Sequence, residues 1–480
     1  MRTIVWFRGK DLRVADHAPL RAALAGGGEV VPLFVVDPYF FAPERARAIA
    51  HRMQFLVDSL GELAEAIAAR GSRLAVVAGR SVEVVPEVAE RWRADRVVAQ
   101  RWCEPFARER DRRVTEALAG AGRRLELLDG ETLLPPATLR TKAGTPFAVF
   151  TQFARAFERA TSQAGAAIAP PHAAPRALPA LPRDVAADLR TRGAPLPTLA
   201  SLGIAREPRL VPAGEAAAHA RLRRFRRSRV AAYETARDRM DVDGTSRLSQ
   251  DLHFGTLSIR AAWHAVADAK FRSELLWREF AHHTLWDRPA VLAEPFNAKW
   301  HGFPYRRDDR GWQAWVAGTT GYPVVDAAAR QLLAEGFVPN RARMIAASFL
   351  TKHLLIDYRR GEAHYLAQLT DGDWANNNLG WQWSAGCGCD AQPYFRVFNP
   401  TTQGERFDPD GAWVRRWIPE LGTDAYPAPI VDHAAARERF LATARDYLRR
   451  RSRSSEPAAP DTRGSAPSRG RRRTARPAPP

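Results

Sequence analysis

Short apolar runs alternate with helical patterns through the first 130 residues, and this alternation limits the possible folds more than any other feature of the chain. The runs are TIVWF, VVPLFVV, RLAVVAG, RVVAQ and RLELLD, which begin at Thr3, Val30, Arg73, Arg96 and Arg124. Strands that are buried on both faces read as continuous apolar runs, and parallel neighbours need a helical crossover between them. The pattern therefore predicts a doubly wound parallel sheet, and hence an α/β domain, at residues 1–130.

This Rossmann-like sheet lacks the glycine fingerprint of dinucleotide-binding folds. No G-x-G-x-x-G follows the first strand, and Gly26, Gly27 and Gly28 stand where the first helix would end rather than begin. The domain must therefore bind another ligand, or none.

A change of composition separates the sheet from the rest of the chain. From about Ala160 to Pro212 the sequence is rich in Ala, Pro and Arg and has little periodicity, which predicts a connector at residues 131–212. Helical patterns follow, and eleven of the fourteen tryptophans lie between Trp263 and Trp417. We expect a large all-α domain at residues 213–450.

The net charge of +19 comes partly from the C-terminal tail. Residues 449–480 contain ten Arg, one Glu and one Asp, and so account for +8. The composition of residues 451–480 predicts a disordered basic tail. The remaining +11 suits a polyanion such as nucleic acid, although a membrane surface or a genome that prefers Arg would also explain it.

Other features of the sequence exclude several classes of protein. No run of eighteen apolar residues and no signal-peptide pattern occur, so we expect a cytoplasmic protein without a membrane partner. We also expect the protein to be a monomer. The cysteines are Cys103, Cys387 and Cys389, and their C-G-C pair lacks the spacing of a zinc site. We therefore expect no metal centre.

A polar segment with two aspartates, three asparagines and two tryptophans predicts a binding site. Residues 371–383 read DGDWANNNLGWQW, and these carboxylates and amides need hydrogen-bond partners if they leave water. A large polar ligand would supply them, although a capped helix before a Gly-rich turn also fits. On a helix, Trp381 and Trp383 would point about 200° apart.

Three further motifs place polar groups together. DGTSRLS, from Asp243, offers hydroxyl and backbone donors to a phosphate, although an ordinary N-cap is the simpler explanation of this motif alone. In ELLWREF, Glu274, Trp277 and Arg278 share one helix face and could read a base, or form an ion pair beside a core tryptophan. In PNRARM, Arg343 can neutralise either aspartate of the polar segment.

Taken together, these motifs resemble the photolyase/cryptochrome family. DGTSRLS, ELLWREF, TGYPVVDAAARQL, NRARMIAASFL, DGDWANN, GWQW and YFRVFNPTTQGERFD occur in the family's order, and WFRGKDLRVADH resembles the start of its antenna domain. The resemblance covers nearly the whole chain and implies an N-terminal antenna domain and a C-terminal all-helical FAD-binding domain. It implies class I repair of cyclobutane pyrimidine dimers in UV-damaged DNA; a blue-light cryptochrome and a six-four photoproduct photolyase are the alternatives.

The resemblance also implies which residues hold a U-shaped FAD. They are Tyr233, Thr245, Ser246, Arg247, Leu248, Ser249, Arg278, Arg343, Asp371, Gly372, Asp373 and Asn377. Asn377 matches the position beside flavin N5, and it differs from the aspartate that is typical of plant cryptochromes.

A flipped dimer and its flanking DNA are implied to contact a second group of residues. These are Glu274, Trp277, Asn340, Arg341, Met344, Trp383 and Gln403. Excited reduced FAD would give one electron to the dimer, Glu274 would stabilise the resulting radical anion, and two tryptophans would stack on the lesion. The implied catalytic residues are thus Glu274, Asn377 and Trp381.

The electron route and the antenna depart from the family's pattern. Trp381 matches the first of three tryptophans that relay electrons, but the other two positions are Tyr358 and Tyr305, and tyrosine is harder to oxidise unless it loses its proton. Other tryptophans offer another route, namely Trp312, Trp315 and Trp374. Trp102 stands where deazaflavin-type antennas often have Asp, so the second chromophore is 8-hydroxy-deazaflavin, methenyltetrahydrofolate, another chromophore or none.

Overall fold

The computed structural model describes residues 1–163 and 167–454. The predicted disordered tail lies outside the described residues except for its first four positions. Those four form the last turn of the final helix, which ends at Ser454.

Five parallel strands form one sheet. They are β1 (Arg2–Phe7), β2 (Glu29–Val36), β3 (Ala75–Ala78), β4 (Arg96–Gln100) and β5 (Arg124–Leu128). The order β3-β2-β1-β4-β5 reverses direction at the central strand β1, which is the doubly wound arrangement with a switch point at the carboxyl ends of the strands. The predicted sheet is therefore confirmed, at nearly the predicted bounds.

Helices cover both faces of this sheet. The six that follow its strands are α1 (Ala18–Ala25), α2 (Pro38–Phe41), α3 (Pro43–Ala48), α4 (Ala50–Ala68), α5 (Ser81–Arg91) and α6 (Pro105–Gly120). Side chains along β1 alternate between the two layers: Val5 and Phe7 join one core, and Ile4 and Trp6 join the other. Period-two alternation with both faces apolar explains why the strand reads as an uninterrupted run.

The connector is more ordered than its composition suggests. It contains α7 (Phe150–Ser162), α8 (Arg183–Arg192) and α9 (Leu199–Leu202). Val185 and Leu189 of α8 pack into the same core as Trp6 and Trp92. Such short helices are stable because they pack on the sheet rather than through their own helical propensity.

Helices make up the rest of the described chain, as predicted. They are α10 (Glu215–Ser228), α11 (Tyr233–Ala236), α12 (Ser249–Phe254), α13 (Ile259–Ala265), α14 (Ala269–Asp287), α15 (Asp309–Ala317), α16 (Pro323–Glu335), α17 (Asn340–Ser348), α18 (Tyr358–Gln368), α19 (Trp374–Ala385), α20 (Pro400–Phe407), α21 (Ala412–Trp417) and α22 (His433–Ser454). Short 3₁₀ turns occur at Val230–Ala232, Pro289–Leu292 and Ala298–Trp300, and a π-helical turn at Phe349–His353. None of the described helices is both long and apolar enough to cross a membrane. The domain bounds at residues 130, 212 and 450 stay a prediction.

The loop after β1 joins the sheet to the helical region. The Leu12 amide donates to the Phe254 carbonyl at 3.2 Å, and the Arg13 guanidinium donates to the Gly255 carbonyl at 2.9 Å. Gly255 has a φ of +63°, and a Cβ there would lie 2.0 Å from the carbonyl oxygen of Lys10. Only glycine therefore allows this loop to approach the end of α12 so closely.

Candidate active site

One large cavity of about 920 Å³ lies among the helices. Its lining includes nearly all of the residues predicted to bind the cofactor or DNA. These are Tyr233, Thr245, Ser246, Arg247, Leu248, Ser249, Glu274, Trp277, Arg278, Asn340, Arg341, Arg343, Met344, Asp371, Asp373, Asn377, Trp381, Trp383 and Gln403. Gly372, Tyr358 and Tyr305 are predicted site residues that do not line it.

Asp373 fixes the start of α19 and thereby the cavity wall that carries Asn377, Trp381 and Trp383. Its carboxylate accepts a hydrogen bond from the backbone N–H of Asn376 at 2.8 Å, which makes it the N-cap. The Asn377 amide in turn donates to the Glu362 carbonyl of α18 at 3.0 Å. The segment is therefore a capped helix and also a wall of the cavity, because the Asp373 cap positions the polar side chains of α19.

The other oxygen of Asp373 belongs to a buried charge cluster, which we define as Lys10, Glu104, Glu131, His282 and Asp373. The Lys10 ammonium contacts Glu104, lies 2.7 Å from Glu131 and lies 3.3 Å from Asp373. Burial opposes its charge, but the three carboxylates outweigh burial and raise the pKa of Lys10 far above its usual value. Ligand atoms of Glu131, His282 and Asp373 lie within 4.8 Å of one another, and the Lys10 ammonium supplies the cation that such a group requires.

His282 gives this cluster a pH dependence. Burial and Arg278 oppose its protonation, but Asp373 and Glu131 outweigh them and raise its pKa to about 9. Because the pKa of His282 is higher in the folded state, the stabilisation that its positive charge gives the folded protein is complete below about pH 6.5 and is lost as pH rises through 9.

We expect the stability difference between the wild type and His282→Asn to shrink by roughly 1–3 kcal/mol between pH 6 and pH 9.5, as measured by urea unfolding. An equal difference at both pH values would show that His282 is neutral in the folded protein.

Arg343 resolves a choice that the sequence leaves open. Its guanidinium lies 3.1 Å from Asp371, and its Nε donates to the Val338 carbonyl at 2.7 Å. Burial opposes ionisation of Asp371, but Arg343 outweighs burial and lowers the pKa of this carboxyl. Arg343 therefore pairs with Asp371, whereas Lys10 is the cation beside Asp373.

Two hydroxyls of the DGTSRLS motif, those of Thr245 and Ser246, remain available to a ligand. The N-cap position of α12 is Leu248, and no side chain caps this helix. Thr245 and Ser246 therefore line the cavity without acting as an N-cap, which argues against the simpler explanation of the motif. Arg247 has a φ of +55°, and its guanidinium stacks 3.6 Å from the centre of the Phe337 ring.

The helix α14 presents a charged and an aromatic residue to the same cavity. Glu274 pairs with Arg237 and lies 3.3 Å from Lys270. Trp277 stacks on Phe150 of the connector, with ring centroids 3.8 Å apart. Glu274, Trp277 and Arg278 all line this cavity, and the Arg278 guanidinium donates to the backbone carbonyls of Glu131 and Leu252.

A row of tryptophans leads away from Trp381. Within the described part of the chain, its close ring neighbours are Tyr365 at 5.2 Å and Trp315 at 6.0 Å, and not Tyr358. Trp315 stacks on the half-buried Trp312 at 5.5 Å. Gly361 makes room for the indole of Trp381, since a Cβ there would lie 2.2 Å from that ring.

A smaller cavity of about 90 Å³ lies at the carboxyl ends of the strands. Its lining includes Trp102, Phe106, Arg8, Arg52 and Arg110. Among the described residues, the guanidinium groups of Arg8 and Arg52 each have a buried N–H without a hydrogen-bond partner, and so has the indole of Trp102, whereas Arg110 pairs with Asp111 at 2.8 Å. Unpaired buried donors are uncommon in native proteins and mark a place where a polar partner would be bound.

Comparison with known proteins places both parts of the chain in one family. Residues 3–176 match the family model described as DNA photolyase, and residues 271–425 match the FAD binding domain of DNA photolyase. The deoxyribodipyrimidine photo-lyase of Thermus thermophilus is 42% identical over 93% of this chain and 99% of its own length. That of Escherichia coli is 36% identical over 92% of this chain and 97% of its own.

Solved structures agree in fold. A bacterial class III photolyase from Agrobacterium tumefaciens matches with a TM-score of 0.84 and 34% identity, over 93% of this chain and 98% of that one. An archaeal photolyase from Sulfolobus tokodaii, whose structure has two FAD molecules, matches with a TM-score of 0.80 and 27% identity, over 93% and 100%. Because the matches span the sheet as well as the helices that form the large cavity, this chain belongs to the DNA photolyase family and carries that family's FAD-binding domain.

Proposed function

We propose that this protein repairs cyclobutane pyrimidine dimers in DNA with the energy of absorbed light. One observation carries the proposal: a single cavity brings together the residues expected to hold FAD and those expected to receive a flipped dimer. A cavity of about 920 Å³ is at the upper end of the range for small-molecule sites, which suits a large cofactor with a substrate above it. We propose that the protein acts as a monomer in the cytoplasm, since one chain supplies both groups of residues.

The donors and acceptors of the cavity floor fit FAD. The hydroxyls of Thr245 and Ser246 do not cap the N-terminus of α12, so they can donate hydrogen bonds to a pyrophosphate. The Arg343–Asp371 pair places a guanidinium and a carboxylate at the cavity wall. Asn377 presents a side-chain amide that is held in place by its hydrogen bond to the Glu362 carbonyl. Bound FAD would supply the light-driven electron on which repair depends.

The protein's own side chains have separate tasks around the lesion. Trp277 and Trp383 offer aromatic faces on which an extruded pyrimidine can stack. Glu274 lies beside them with a carboxylate that can accept from an N–H of the dimer. Asn340 and Met344 belong to the same wall, where the Asn340 amide lies 3.7 Å from the Met344 sulfur.

A light-dependent repair assay tests this function. The purified protein is incubated with an oligonucleotide that carries one thymine dimer, in blue light and in darkness, and intact thymines are counted. Repair in light alone supports the proposal. Repair of a six-four photoproduct instead would identify the other lesion class, and a bound flavin without repair of either lesion would favour a photoreceptor.

We propose that electrons reach the cavity through Trp381, Trp315 and Trp312 rather than through Tyr358. The hydroxyl of Tyr358 is buried without a hydrogen-bond partner in the described structure, so its proton has no acceptor if the ring is oxidised. The indole N–H of Trp315 donates to the Ala346 carbonyl at 3.1 Å, and Trp312 lies under the Arg360 guanidinium near the surface. Tyr305, the third predicted relay position, packs on Phe303, with ring centroids 4.9 Å apart.

Trp315→Phe is expected to slow light-driven reduction of the oxidised flavin at least tenfold, because it interrupts the row of indoles beside Trp381. Tyr358→Phe is the matched control and is expected to change the rate less than about twofold; every 1.4 kcal/mol in a barrier is a tenfold change. Flavin absorbance is followed under blue light with an external reductant. A larger effect of Tyr358→Phe would restore the tyrosine route.

We propose that the smaller cavity receives an aromatic antenna chromophore that carries an anionic group. Its unpaired arginine and indole N–H groups would be its donors, while about 90 Å³ holds only a few water molecules. The aromatic side chains of the lining must therefore move to admit a flavin-sized or deazaflavin-sized ring. Absorption spectra of the small molecules released on denaturation, with their amount per chain, test this, and a single FAD per chain with no other chromophore would contradict it.

A further inference from the structure

The connector reaches the cavity through Phe150. The rings of Phe150 and Trp277 are stacked at 3.8 Å with an interplanar angle of 7°. Trp277 belongs to the cavity lining and Phe150 does not, so Phe150 covers the ring face that is turned away from the cavity. No base fits between rings at this spacing, and a single face of Trp277 is left for a ligand.

The position of Phe150 is itself fixed by the loop that follows α19. Its backbone N–H, at the start of α7, donates to the Asp390 carboxylate at 3.1 Å, and α7 has no side-chain cap from its own neighbours. Asp390 adopts a φ of +47° in the loop after α19. One residue earlier, the Cys389 thiol donates to the Ala148 carbonyl at 3.2 Å. The loop that follows Trp383 therefore holds the start of α7 in place.

We propose that Phe150 is a positioning residue for lesion binding, which fixes the plane of Trp277 before DNA arrives. An aromatic side chain that is already ordered loses less rotamer freedom when a base stacks on it, and this preorganisation appears as affinity. The parallel geometry also makes one ring face the only stacking surface that Trp277 offers. The inference rests on the proposed function, because Trp277 contacts a lesion only if the cavity receives one.

A double-mutant cycle tests the inference with the full-length protein in darkness. Affinity is measured for an oligonucleotide with one thymine dimer and for its undamaged counterpart. Phe150→Ala is expected to weaken dimer binding about 3- to 10-fold and to leave undamaged DNA unaffected. In a Trp277→Ala background the same change is expected to have no further effect, because the residue acts only through that ring. Phe150→Tyr is expected to restore wild-type affinity.

Two further variants distinguish a loss of the Phe150–Trp277 contact from a general loss of folding. Phe147→Ala is the matched control, since Phe147 packs against Phe153 at 6.1 Å and not against Trp277; it is expected to bind the dimer normally. Phe150→Leu keeps the bulk of the side chain without a ring plane, so it replaces Phe150→Ala in the cycle if the alanine variant unfolds. It is expected to weaken dimer binding about as much as a folded Phe150→Ala would.

The outcomes separate this inference from the proposed function. Additive losses in the cycle, or wild-type affinity of Phe150→Leu while Trp277→Ala is impaired, would overturn the role of Phe150 alone. A wild-type protein with no preference for dimer DNA would overturn the proposed function and the inference together.

Discussion

Lys10→Met is expected to lower the free energy of unfolding by roughly 3–5 kcal/mol, because it removes the one ammonium from a buried group of carboxylates. Lys10 is 6% exposed, and it contacts three carboxylates from the sheet domain, the connector and α19. Each of them has left water and depends on this cation. Methionine is of similar length but carries no charge, so only the His282 imidazolium would remain in the cluster to compensate the three carboxylates.

Urea unfolding at pH 7 measures this loss, with Lys142→Met as the control. Lys142 is exposed in the loop before α7, and replacing an exposed lysine is expected to change stability by less than about 0.5 kcal/mol. The deficit of Lys10→Met is expected to shrink near pH 4.5, where the uncompensated carboxylates can take up protons. A loss below about 1 kcal/mol at pH 7 would mean that water enters the cluster and solvates it.

The sheet was predictable because the sequence pattern of each strand is local to that strand. Each strand is an apolar run of the right length, and β4 has the predicted bounds, Arg96–Gln100. The helix α8 was not predicted, because RDVAADLRTR buries only two apolar residues, Val185 and Leu189, and is helical through its contact with the sheet. Tertiary packing overrides weak local preference in such segments.

The cavity lining was also predictable, since it is carried by short motifs whose residues are neighbours in sequence. Lys10 was not, because a lysine between Gly9 and Asp11 reads as an exposed loop residue. Its burial depends on distant carboxylates, among them Asp373, which is 363 positions away. The indole row was likewise only one of several options, since nothing local joins Trp315 to Trp381. Phe150 gave no signal at all, because its role depends on the contact with Trp277.

Glu274→Ala is expected to lower repair per absorbed photon about tenfold or more while changing dimer affinity less than about threefold. A hydrogen bond to a charged group contributes about 1.5–3 kcal/mol, and here it should strengthen as negative charge develops on the dimer. The affinity of Glu274→Ala for the dimer should be nearly retained for a structural reason. Removing the carboxylate leaves Arg237 and Lys270 unpaired beside the cavity, and both cations then attract DNA phosphates.

Trp277→Ala is expected to show the opposite balance. Loss of the stacking surface should weaken dimer binding by roughly 1–3 kcal/mol, whereas repair at saturating DNA should change less. Affinity in darkness and repair per photon at saturation are measured for both variants. Glu234→Ala, which removes an exposed carboxylate from α11, controls for the change of net charge.

The salt dependence of affinity distinguishes the two causes of any change in binding. If the freed Arg237 and Lys270 contribute to affinity, the slope of log affinity against log salt becomes steeper in Glu274→Ala than in Trp277→Ala. An unchanged slope with retained affinity would mean that Glu274 does not contact the dimer before light is absorbed. Equal losses of affinity and repair in both variants would contradict the separate roles, because a residue that only binds and one that acts in the transition state cannot give the same ratio.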